Sequence, residues 1–195
     1  MNQRRKLLRT TSLLALFLAL AILLNYLENF IPVIVPIPGV KLGLANTMGL
    51  IILYFFGRAE YGLLGFFRVL IVSLLFSGLF SSGFFLSLSG WFLSCIGCIL
   101  LSFIKKLSIY SLSVASAILH GVGQVICACF LYSSIYMLTY LPVLLLSGLI
   151  SGVVIAMLSS LIIKRISPFI QKENLYSFFS FHKKKKKENI NQDQN

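Results

Sequence analysis

His120 and Gln124 stand four residues apart inside an apolar run, so a helix would carry both on one face, an imidazole beside a carboxamide. Asn46, Arg68, Ser87 and Ser89 are further polar side chains within such runs, and Glu28 and Lys41 stand at their outer edge. Polar groups inside membrane-like sequence are costly to keep, so they mark candidate ligand or substrate sites. This set can donate and accept hydrogen bonds and hold an anionic or polar group, which is the chemistry of binding.

Bond-breaking chemistry finds less support. Asp193, in the C-terminal tail, is the only aspartate, which excludes a magnesium site built from clustered aspartates. No G-x-x-x-x-G-K-[ST] phosphate loop is present, so any ATP-driven step belongs to another protein. Cys95 and Cys98 have C-x-x-C spacing, with Cys127 and Cys129 further on, but they lie in apolar helices without His or carboxylate partners at ligand spacing. Cys127 and Cys129 would also point to nearly opposite faces of one helix. The cysteines read as small packing residues. No catalytic residue, metal site or cofactor is expected.

The elements that must position the polar set are membrane helices. With 58% hydrophobic and 11% charged residues, and a mean hydropathy of +0.93, the chain is not a soluble domain. At about 20 residues per span, its 195 residues allow one compact membrane domain. Apolar runs predict six transmembrane helices near 8–27, 42–57, 62–80, 84–104, 111–132 and 141–163, the second of them short. The expected fold is therefore all-α and polytopic, with a six-helix membrane domain over residues 1–165 and a basic, partly disordered tail over 166–195.

Charge sets the orientation. With the N-terminus inside, the cytoplasmic side receives Arg4, Arg5, Lys6, Arg9, Arg58, Lys105, Lys106, Lys164, Arg165, Lys172 and Lys183 to Lys187. Lys41 alone falls outside and Arg68 within the third span, which accounts for all 17 basic residues. Both termini are expected in the cytoplasm of a multi-pass cell-membrane protein. The net charge of +12 sits at span ends and in the tail, which points to anionic lipid headgroups and away from nucleic acid. The aromatic and lysine-rich stretch from Leu175 to Lys187 reads equally as an interfacial helix or a solvated tail. Basic residues before the first apolar run imitate a signal peptide, but the run is long and leads into Asn25, Tyr26 and Glu28 without a small-residue cleavage site.

Pro32, Pro36 and Pro38 prevent the first helix from continuing and predict a stiff outer loop or lid. Gly39 permits a turn into the second helix, whose N-terminal amides, together with Lys41, would favour an anion or polar head group. Ala15 with Ala19, and Gly148 with Gly152 beside Ser147 and Ser151, form small-residue faces suited to close helix contact, within the bundle or with a partner.

Glu28, Pro32, P-G-V-K-L-G-L-A-N at 38–46, Arg68, S-L-S-G at 87–90, His120 with Gly123-Gln124, Pro142, and Gly148 with Gly152 resemble the Gx transporter family over roughly residues 10–165. That family also carries the label heptaprenyl diphosphate synthase component I. Gly121 departs from its pattern, which has asparagine after the histidine. The family is similar to the substrate-binding S components of energy-coupling factor transporters, six-helix proteins that capture a small nutrient and dock on a separate ATPase module. The resemblance implies an S-component-like bundle in which Lys41, Asn46, Ser87, His120 and Gln124 bind a small molecule. Glu28 and Arg68 would give electrostatic support, and Ala15 with Ala19 would face the coupling subunit. The label's second implication is a non-catalytic membrane subunit of a polyprenyl diphosphate synthase.

Overall fold

The computed structural model describes residues 3–28, 43–104 and 106–172. Six helices follow one another: α1 (Gln3–Glu28), α2 (Leu44–Phe55), α3 (Arg58–Val72), α4 (Ser82–Leu101), α5 (Ile109–Leu131) and α6 (Leu141–Lys172). A π-helical turn, Ser73–Ser77, continues α3, and a 3-10 segment, Ile135–Tyr140, leads into α6. Among the described residues there is no strand. Lys41, the three prolines of the expected lid and the tail beyond Lys172 lie outside the described residues.

Among the described residues, five stretches are long and apolar enough to cross a membrane: Leu8–Glu28, Arg58–Ser77, Ser82–Leu101, Ile109–Leu131 and Ile135–Ile170. The second element is different. With 12 residues α2 is about 18 Å long, well short of roughly 30 Å of hydrocarbon. Helix α6 is longer than its predicted span, running past residue 165 to Lys172 through Pro168.

Burial explains why α2 can be short. It is apolar nearly all round, as a helix enclosed by protein should be, and Ile51, Ile52 and Phe55 are completely buried. They pack with Phe17 and Ala21 of α1, Phe56, and Ile163 and Ile170 of α6. Phe17 meets Phe56 edge to face at 6.2 Å. Helix α1 is one-sided by contrast, with Leu8, Leu16, Leu23 and Leu27 on its exposed side.

A sharp turn at Phe56–Gly57 reverses the chain between α2 and α3, and Gly57 takes φ 128°, a conformation that side-chain-bearing residues avoid. Arg58 then ties the start of α3 to the end of α4. Its Nε donates to Ser102 Oγ at 2.7 Å, its Nη2 donates to the Ser102 carbonyl at 3.2 Å, and its guanidinium lies 3.8 Å from the Phe103 ring centroid.

Helices α4, α5 and α6 pack almost backbone to backbone. A Cβ on Gly123 would fall 2.6 Å from the Ser89 carbonyl oxygen, and one on Gly152 would fall 2.7 Å from Val114 Cα. Gly148 approaches the Ala117 carbonyl in the same way. The small-residue face of α6 is therefore turned inward against α5, where Ser113 Oγ also donates to the Gly152 carbonyl at 2.6 Å. Ser81 and Ser108 start α4 and α5 by accepting from Phe84 N and Ser111 N, each at 3.2 Å.

Candidate functional site

Counting from the Gly57 turn, Asn46 of α2 and Arg68 of α3 each stand eleven residues away, about 16 Å along their helices. Two antiparallel helices joined by a tight turn therefore bring them level. Arg68 Nη1 donates to Asn46 Oδ1 at 2.6 Å. Their distance from the turn is about half the hydrocarbon thickness, and α2 begins at this level.

Its first residue is held in an unusual way. Gly43 adopts a left-handed φ of 73° at the N-cap, and its N–H donates to a carboxylate oxygen of Glu28, at the end of α1. Glu28 is buried. An added Cβ at residue 43 would also meet Ile155 at 3.0 Å. Irregular backbone at membrane depth survives where protein or a cavity surrounds it, and both conditions hold here.

Above the Asn46–Arg68 pair lies a cavity of about 440 Å³. Its α3 wall is one helical stripe, Arg68, Val69, Val72, Ser73, Phe76 and Ser77. The widened π turn belongs to this stripe, and such turns recur at functional sites. Gly83, Leu86 and Ser87 supply the α4 wall, His120 and Gln124 the α5 wall, and Gly43, Ala45 and Asn46 the entry to α2. Asn25 closes the α1 side, and Tyr26 beside it stacks on Phe76 at 5.3 Å and 26°.

Gly90 shapes the far wall. A Cβ there would stand 2.8 Å from the His120 ring and 3.0 Å from Gln124 Cγ, so the missing side chain makes room for both residues. A smaller pocket of about 60 Å³ lies between α5 and α6 and shares Gly43, Asn46, His120 and Gln124 with the large one. On the other side of Arg68, a pocket of about 20 Å³ touches Tyr61, Ser94, Ser113 and Ser116, enough for about one water among polar partners.

The structure thus brings Asn46, Arg68, Ser87, His120 and Gln124 around one space. Ser89 is not among them, since its hydroxyl donates to the Leu86 carbonyl within its own helix at 3.0 Å. Glu28 stands behind Gly43 rather than in the wall. Lys41 lies outside the described residues. Ala15 and Ala19 are exposed on α1 beside Leu16 and Leu23.

Asn25, Ser73 and Ser77 are cavity residues that the sequence reading did not single out. Two signals were present. Ser73 and Ser77 continue the stripe five and nine residues beyond Arg68, and Asn25 precedes Glu28 by three on an apolar helix. The Asn25 Oδ1 atom is buried without a hydrogen-bond partner.

No three His, Cys, Asp or Glu side chains come together among the described residues. Cys98 is completely buried with Leu50, Leu53, Leu112 and Ile155, as a small core residue.

A bundle of long apolar helices around a polar-lined cavity defines a polytopic helical membrane protein with room for a small molecule. Residues 17–162 match the family model described as heptaprenyl diphosphate synthase component I, and the chain belongs to that family. No curated protein and no solved structure matches it.

Proposed function

We propose that this protein is the membrane-embedded substrate-binding subunit of a small-molecule transporter, S-component-like, working with a separate ATPase module. The observation that carries the reading is the 440 Å³ cavity, whose walls join side chains from five helices. Asn46, Ser87, His120 and Gln124 hydrogen-bond the captured molecule, and Lys41, two residues before Gly43 in sequence, adds an electrostatic or donor contact. The subunit itself performs no bond-breaking step. Ala15 and Ala19 offer a smooth strip on the exposed side of α1 where a helix of the coupling subunit docks. In this reading the basic span ends face the cytoplasm with both termini, and the cavity lies in the outer half of a cell membrane.

Tagged protein captured from native membranes is expected to bring down an ATPase and its coupling subunit, and Ala15→Trp with Ala19→Trp is expected to release them. Capture without any ATPase removes the transporter reading. The family description favours a second reading, a non-catalytic membrane subunit that holds a soluble polyprenyl diphosphate synthase near its lipid product. That reading predicts loss of the synthase from membranes when this gene is deleted, and unaltered synthase localisation removes it.

A further inference from the structure

Among the described residues lining the large cavity, Arg68 is the one with a permanent charge. It is about nine-tenths buried, and its hydrogen bond to Asn46 Oδ1 occupies one of five guanidinium N–H groups. A carboxamide oxygen orients a guanidinium without neutralising it. Glu28 acts on Arg68 through space, but its carboxylate accepts from Gly43 N–H and is no part of the cavity wall. The start of α2 opens on the same floor, with its N-cap amide already met by Glu28. No described carboxylate lines the cavity to receive a cation.

Resting on the reading of this cavity as a ligand site, we propose that its ligand is a small organic anion whose carboxylate or phosphate group binds Arg68 directly. Arg68 is then the residue that selects for charge, and Asn46 is its positioning residue. His120 and Gln124 take the uncharged polar part, and Val69, Val72 and Leu86 cover a modest apolar body. Buried and oriented, the guanidinium presents the paired donors that suit carboxylate and phosphate oxygens.

The test uses the full chain in neutral detergent and reads its thermal unfolding midpoint against benzoate paired with benzamide, and phenyl phosphate paired with benzyl alcohol. The anionic member of either pair is expected to raise the midpoint and its neutral partner to leave it unmoved. Arg68→Gln is expected to weaken the anion response at least about 30-fold. Arg68→Lys is expected to fall between, and Ser160→Ala, away from the cavity, to match the wild type. Competition of the shift by phosphatidylglycerol assigns the anion to a lipid headgroup, and absence of competition assigns it to a free solute. Equal shifts from neutral and anionic partners, or an anion shift unchanged in folded Arg68→Gln, overturn the charge assignment and leave the cavity as a binding site. No shift with any probe overturns the cavity reading and the anion with it.

Discussion

The α4–α5–α6 side and the α1–α2–α3 side of the bundle are built by opposite means. On the first, glycines let backbones touch, with Gly123 against Ser89 and Gly152 against Val114. On the second, large side chains fill the half near the Gly57 turn, Phe17, Ile51, Ile52, Phe55 and Phe56, and the half near Gly43 opens into the cavity. Close backbone approach yields a stiff wall that fixes His120, Gln124 and Ser87. Bulky packing around a helix that starts at half depth leaves space facing that wall. A binding site results because the two kinds of packing meet.

The comparison breaks most severely at the glycine wall. Gly123→Leu and Gly152→Leu should each cost about 3 kcal/mol or prevent folding, because the clash is with backbone that has no rotamer to move, and thermal melts in detergent will show it. On the other side, Glu28→Ala strips the acceptor from the part-buried Gly43 N–H, for an expected loss of about 2 kcal/mol in the same melts. Gly43→Ala should cost about 1–2 kcal/mol, since alanine must hold the left-handed φ while its Cβ presses on Ile155. Arg58→Met should cost about 1 kcal/mol through its lost contacts to Ser102 and Phe103. The smallest stability effect belongs to Ser87→Ala, within about 0.5 kcal/mol, while stabilisation by a bound ligand falls measurably. A cavity-side substitution as damaging as Gly123→Leu would show that the two sides are equally stiff.

Much of this was legible in the sequence. Apolar runs gave the helix order, because a segment long enough to cross lipid leaves little choice of conformation. The cost of intramembrane polar groups pointed to Asn46, Arg68, Ser87, His120 and Gln124, which share the cavity. The start of α2 was predicted within two residues, near 42 against Leu44, but what fixes it was not legible. It is set by a left-handed glycine and by a carboxylate fifteen residues earlier in the chain. The sequence put Arg68 within the third span and left its partner open. Only the level placement of α2 and α3 aims it at Asn46. The direction of the α6 glycine face was open for the same reason, as spacing shows a face but not its partner.

The shortness of α2 also constrains how the chain is assembled. A helix of 12 residues cannot be handed to the bilayer as an independent crossing, and one sealed so fully by α1, α3 and α6 has almost no lipid contact to stabilise it while its neighbours are absent. The α2–α3 hairpin must therefore wait, partly unsheltered, until α6 has been synthesised and inserted. The interval between the synthesis of α2 and the completion of its shelter spans more than a hundred residues of translation, from Leu44 to Ile155 and beyond.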